Sequence, residues 1–170
     1  VWRPDAELFR RIASGVHVIG VAAGGRRNGF TAAWVMQLSF QPPLLGLSIN
    51  PEHASYALLI DGGTFTVNVL ERGQLDLARQ FGVQSARNVD KLAGIRWHAA
   101  ASGAPVLDDC LAYYDCRVVA RHSAGDHELV IGRVVDGAVR RPDAAAMLYA
   151  ETGDLDGSSA LYPAGDGETK

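Results

Sequence analysis

The stretch from Asn28 to Ser55 constrains the fold more than any other part of the chain, because it reads as two long strands in succession and then the opening of a helix. Successive side chains of a strand point to opposite faces. From Thr31 to Phe40 that rule collects Ala32, Trp34, Met36, Leu38 and Phe40 on one large apolar face. Thr31, Ala33, Val35, Gln37 and Ser39 fall on the other, which is mostly small or polar. Gln41-Pro42-Pro43 joins the two strands, and the second repeats the split, with Leu45, Leu47 and Ile49 against Leu44, Gly46, Ser48 and Asn50. The pattern predicts two neighbouring strands that share one greasy face and one shallow face ending in hydroxyls and an amide. Small side chains there leave room for something flat to lie against the backbone, and that face is the candidate binding floor.

The flanking sequence supplies more short strands and a few helices. Asp5 is placed to cap a helix with Glu7 in its first turn and an apolar stripe of Leu8, Phe9, Ile12 and Ala13, ended by Ser14-Gly15. Val16 to Ala22 reads as a buried strand, and Gly24-Gly25 as the hairpin turn after it. Ser55 is placed to cap a helix that runs to Ile60 and stops at Asp61-Gly62-Gly63. Thr64 to Leu70 alternates again, and Gly73 to Phe81 has helical spacing. The polar segment from Gly82 to Gly94 is expected to be a loop or short helical turn, and Trp97 to begin a brief strand. Leu111 to Arg121 and Glu128 to Val139 read as two long strands about a turn at Ser123 to Asp126. Six or seven strands joined mainly by tight turns, with three short helices, predict a mainly β (α+β) fold: a split antiparallel β-barrel of Greek-key type with peripheral helices. Residues 1–152 make the barrel domain, and the Gly-, Ser- and acid-rich residues 153–170 a frayed tail.

At 170 residues, 48% apolar and 21% charged, the chain can bury a full core. A net charge of -3 offers no general attraction to nucleic acid or anionic membranes. With no apolar run of membrane-spanning length and no signal-peptide pattern, the expected location is the cytoplasm. Cys110 and Cys116 fall in the same expected strand, about 20 Å apart, too far for a mutual disulfide; they read as two buried thiols.

Several chemistries are excluded by what is missing. The sequence has no G-x-G-x-x-G after a strand, no G-x-x-x-x-G-K-[ST] and no G-x-S-x-G, which removes a Rossmann nucleotide site, a P-loop and a nucleophile elbow. His122 and His127 flank a turn with Asp126, but no further His or Cys completes a metal shell, so no metal is expected. Physical reasoning alone reaches a small barrel with a flat polar pocket.

A series of short segments takes the reading further. Asn28-Gly-Phe-Thr-Ala-Ala-Trp34, Ser39-Phe-Gln-Pro-Pro-Leu44, Ser48-Ile-Asn50 and Ser55-Tyr56 are followed by Gly63-Thr-Phe-Thr-Val-Asn-Val69 and Leu77-Ala-Arg-Gln-Phe81. Asp90-Lys91, Gly94-Ile-Arg-Trp97, Gly125-Asp-His127 and Gly132-Arg-Val134 complete it. In this order and spacing, from about Phe9 to Tyr149, the series resembles the flavin reductase-like family with its FMN-binding split barrel, and Trp34 is similar to the flavoredoxin-type branch.

The resemblance implies a homodimer that holds flavin between the barrel floor and the partner chain: FMN, with FAD as the other choice. It implies that Thr31, Ala32, Ala33 and Trp34 meet the isoalloxazine ring, that Asn28 belongs to the same site, and that Ser48, Asn50, Ala54 and Ser55 handle the ribityl chain and phosphate. Phe81 and Arg87 or Lys91 complete the pocket, and His127 meets a nicotinamide nucleotide, NADH or NADPH. The implied activity is an NAD(P)H:flavin oxidoreductase, with reduced flavin passing to a monooxygenase. Catalysis is then positioning, and no acid–base residue is obligatory for hydride transfer. The alternative is an FMN-binding electron carrier of flavoredoxin type that does not itself oxidise NAD(P)H. Three departures stand out: His53 where relatives carry a basic residue, Leu92 where they carry an aromatic, and His17 in the first strand, where a barrel interior obliges it to find a hydrogen-bond partner.

Overall fold

The computed structural model describes residues 5–82 and 89–162. Strands β1 (His17–Ala23), β2 (Arg26–Ala32), β3 (Val35–Ser39), β4 (Leu44–Ile49), β5 (Thr64–Val69), β8 (Ala112–Ala124) and β9 (His127–Val139) form one antiparallel sheet. Its order is β2-β1-β5-β8-β9-β4-β3, and β6 (Trp97–Ala99) and β7 (Pro105–Leu107) make a separate ribbon. Helices α1 (Ala6–Phe9), α2 (Tyr56–Gly62) and α3 (Leu75–Gly82) lie outside the sheet, with short 3-10 helices at Tyr149–Thr152 and Ser158–Leu161. The sheet curls so that its two edge strands, β2 and β3, are also consecutive in the chain. They do not pair with each other, and the barrel is split at that seam.

The local reasons follow from sequence. Gly24 and Gly25 both adopt positive φ (55° and 77°), which a two-residue turn between right-twisted strands requires. Ile19, Val21, Leu45, Leu47, Ile49, Phe65, Val67, Cys116 and Val130 fill the barrel. On the other side of the sheet a second core of Val16, Val18, Leu70, Ala78, Phe81, Leu107, Cys110 and Met147 holds α3 and the β6–β7 ribbon. β5 is buried on both faces, so Thr66 and Asn68 must be satisfied inside the protein. The Asn68 amide donates to Val18 O (3.0 Å) and its Oδ1 accepts from Leu107 N (2.8 Å), while the Thr66 hydroxyl donates to Pro105 O.

Several expectations need correcting. Thr31 to Phe40 is two strands: the chain turns a corner at Ala33-Trp34, leaving β1 as its partner and taking up β4. Ala32 and Val35 both pack on the barrel core, three residues apart, so the alternation slips at the corner. β3 then sets Val35 opposite Leu47, Met36 opposite Gly46 and Gln37 opposite Leu45. Trp34, Met36, Leu38 and Phe40 therefore do not share a face with Leu45 and Leu47, and they stand exposed, Phe40 by 89%. The shared floor is divided too: Thr31 faces α3, while Val35, Gln37 and Ser39 line an open cavity at one end of the barrel.

Cys110 lies in the turn before β8, not in the strand, and belongs to the second core; both thiols are free and buried, and burial pushes them up to about 11 and about 12. The N-terminal helix is shorter than its apolar stripe, ending at Phe9, with the Asp5 carboxylate accepting from Glu7 N (3.0 Å) as a cap should. Ser55 begins α2 but its side chain makes no capping bond, because the hydroxyl accepts from the Asn28 amide (3.0 Å). No described helix is long and apolar enough to cross a membrane.

Candidate functional site

The β2–β3 corner organises the site. Trp34 O accepts from Ser48 N (3.0 Å), which ties the corner to β4 and turns the indole outward. β9 begins at the β8–β9 turn with His127, whose ring lies 4.9 Å from the Trp34 ring at 51°. Asp126 Oδ1 is 2.8 Å from His127 Nδ1, and that hydrogen bond holds the Asp126 carboxyl below its usual range. With 19% of its side chain exposed, His127 is a half-buried wall rather than a solvated hairpin tip.

Trp34 and His127 form one side of a cavity of about 460 Å³. The opposite side comes from both ends of the described chain: Phe9, Arg10 and Ile12 near α1, and Tyr149, Leu161 and Tyr162. Phe9 and Tyr162 stack at 5.5 Å, and Arg10 pairs with Asp154 (2.8 Å). A smaller cleft of about 80 Å³ runs along Thr31, Ala32 and Ala33 beside Ala78 and Gly82 of α3. The Thr31 hydroxyl donates to Ala78 O (2.7 Å), so its oxygen is already engaged by the helix.

The second half of the expected site gathers at the start of α2. Asn28 and Ser55 are hydrogen-bonded across the barrel wall. Asn50 folds the loop by accepting from Glu52 N (2.8 Å), and Asn50 O accepts from His53 N (2.9 Å). His53 Nδ1 in turn accepts from Ser55 N (3.1 Å), and its ring lies 4.6 Å from Phe30. Burial, and then the charge of Lys91, depress the His53 pKa. Lys91 is buried, its ammonium donating to Phe81 O (3.0 Å) at the end of α3; burial lowers its pKa as well.

The structure thus brings the expected residues into two groups. Thr31, Ala32, Ala33, Trp34 and His127 surround the corner, and Asn28, Asn50 and Ser55 surround the α2 start, with Ala54 exposed there and Ser48 half-buried between the groups; Lys91 sits at the end of α3, where its charge acts on His53. The Phe81 side chain is packed in the second core, fully buried, and presents only its carbonyl, to Lys91. Arg87 lies outside the described residues. Sequence reasoning missed Phe9, Arg10, Tyr149 and Tyr162, which sit outside any motif; only the helical stripe hinted that Phe9 packs on something. Among the described residues no group of His, Cys, Asp or Glu is placed to hold a metal.

Comparison with known proteins gives the site a context. A family model described as flavin reductase like domain matches residues 9–156. The FMN reductase (NADH) RutF 1 of Methylorubrum extorquens is 39% identical over 151 residues, covering 86% of this chain and 74% of the relative. The fold is similar to the NADH:FAD oxidoreductase SgcE6 of Streptomyces globisporus (TM-score 0.79, 28% identity, covering 85% of this chain and 86% of that one). It is similar also to an FMN-binding protein of Thermus thermophilus with bound p-hydroxybenzaldehyde (TM-score 0.79, 31% identity, covering 88% and 89%).

Proposed function

This chain belongs to the flavin reductase like domain family, and from that premise we propose that it is an NADH-dependent flavin reductase acting on FMN. The observation that carries the reading is the Trp34–His127 pair over the 460 Å³ cavity, which sets a flat aromatic wall beside the residue expected to meet the nicotinamide. The residues fit a flavin. Ala32 and Ala33 leave the backbone of the corner approachable, and Trp34 offers an aromatic surface. Lys91, at the end of α3, supplies a cation whose field reaches His53 at the α2 start, near Asn28 and Ser55, as a phosphate requires.

Bound flavin supplies the hydride acceptor and NADH the hydride; the protein supplies the approach between them. Asp126 fixes the His127 ring through Nδ1, leaving Nε2 to face the incoming nucleotide. Phe9, Tyr149 and Tyr162 wall the far side of the cavity. No proton need move between side chains. NADH, rather than NADPH, follows from the named relatives.

The site functions in a homodimer in this reading. Met36 and Leu38 on β3, Phe40 just after it, and Val119, Val135 and Val139 on β8 and β9 are exposed apolar side chains that a second copy of the chain would cover. The decisive test is anaerobic mixing of FMN-loaded protein with NADH. Prompt loss of the flavin's visible colour is expected. Colour that persists overturns the reductase reading in favour of an electron carrier, and protein that neither binds FMN nor gains thermal stability from it overturns both.

A further inference from the structure

We propose that the interior of the barrel is a second ligand site, separate from the flavin site, which takes a small neutral phenol through His17. The barrel core is concentrated around Ile19, Val21, Phe65 and Leu47. Toward the end marked by His17 and Val69, which face each other across β1 and β5, a cavity of about 320 Å³ is left, open to solvent past the exposed side chains of Met36, Gln37 and Tyr114. Its walls are aliphatic, from Val35, Leu45, Val67, Val69 and Val134, and its polar groups are His17, Gln37, Ser39 and Tyr114.

His17 is what a packed barrel does not explain. The next inward residues of β1 are Ile19 and Val21, and an aliphatic side chain at position 17 would continue them. The imidazole makes no hydrogen bond to any described residue, and its Nδ1 is buried without a partner. Such a group carries the full cost of its lost hydration unless something else bonds it. The ring packs over Gly15, where even one added carbon would lie 2.9 Å from Cε1, so a glycine makes the room that this placement needs. Burial keeps the ring neutral at physiological pH. A neutral imidazole presents one donor and one acceptor. A phenolic hydroxyl answers either, and an aromatic ring suits the aliphatic walls. A charged ligand has no counter-ion among the lining residues. The site does not depend on the flavin reading, since none of its lining residues belongs to the two groups described above.

The test titrates the FMN-loaded protein with phenol and, separately, toluene, by calorimetry and by the NMR signals of the His17 ring. Saturable binding of phenol, about tenfold tighter than toluene, is expected from one hydrogen bond to the imidazole. His17→Leu should erase that preference and leave FMN affinity unchanged. Val134→Phe, which fills the cavity from β9 and leaves the imidazole in place, should block both probes, and it serves if His17→Leu does not fold. Absence of saturable binding, an unchanged preference in His17→Leu, or displacement of phenol by added FMN each overturns the proposal.

Discussion

The Trp34 indole and the His127 imidazole meet at 4.9 Å although one comes from the β2–β3 corner and the other from the first residue of β9. The sheet order brings them together: β3 pairs with β4, β4 with β9, and each step carries the corner closer to the β8–β9 turn. If His127 serves the nicotinamide and the corner serves the flavin, the two affinities separate. His127→Ala should raise the KM for NADH about tenfold, the equivalent of one hydrogen bond to a ligand, with FMN affinity nearly unchanged. Steady-state kinetics with a flavin titration checks this. Lost flavin with unaltered NADH kinetics would refute the assignment.

The strands and turns were legible because each rests on a local rule. Alternation marked β4 and β5, paired glycines marked the β1–β2 turn, and Gly125, at φ 69°, marked the β8–β9 turn. What alternation could not carry was the corner. Ala33-Trp34 has no proline, glycine or charge to announce it, yet it moves the strand from one partner to another and exchanges the two faces of everything up to Phe40. Family resemblance named a set of residues, and their arrangement in two groups was not legible in it. The burial of Lys91 was not legible, because its partner is a backbone carbonyl, Phe81 O, which no sequence pattern reveals. The cavity wall from Phe9, Tyr149 and Tyr162 was hidden for a similar reason, since it depends on two chain ends meeting.

Lys91 gives a prediction that separates structure from phosphate recognition. Lys91→Met keeps the buried stem but removes both the charge and the donor to Phe81 O. The lost bond should cost about 1–2 kcal/mol of stability. Since the Lys91 charge helps to hold the His53 pKa down, that pKa should rise in the variant, which NMR titration of the His53 ring reads directly. FMN affinity should fall about tenfold, as expected for one charge-assisted contact, whereas riboflavin, which lacks the phosphate, should bind as before. Equal losses for FMN and riboflavin would leave Lys91 a purely structural cap.

His17 should leave a mark on acid stability. Its pKa falls from 6.5 to about 4 on folding because burial disfavours the cation. Between those values the unfolded chain binds the proton and the folded chain does not, so stability is complete above about 6.5 and is lost as the pH drops toward 4. The full effect is about 3 kcal/mol. Tyr114 is the other titratable group lining the cavity. His17→Leu should therefore flatten the stability profile between pH 6.5 and 4 and raise the melting temperature at the acid end. A profile as steep as the parent's would place the proton uptake elsewhere.

Phe40 tests the homodimer. At 89% exposed it buries little within its own chain, so replacing it hardly touches the fold. Met36 and Leu38 stand exposed on the adjoining edge strand β3, 63% and 38%, and Leu38 lies over Gly46 on the outer face of β4. An unpaired apolar edge of this kind invites another chain, and a standard interface hides about 800 Å² on each side. Phe40→Glu would place a charge in that contact, where its desolvation is not compensated. Sedimentation should show a dimer for the parent and at least about tenfold weaker association for the variant, with a melting temperature close to that of the isolated fold. If part of the flavin pocket belongs to the partner, FMN affinity should fall with the dimer and recover at high protein concentration. A parent that sediments as a monomer, yet binds FMN and oxidises NADH, would show that one chain forms the whole site and leave the apolar edge to a different partner.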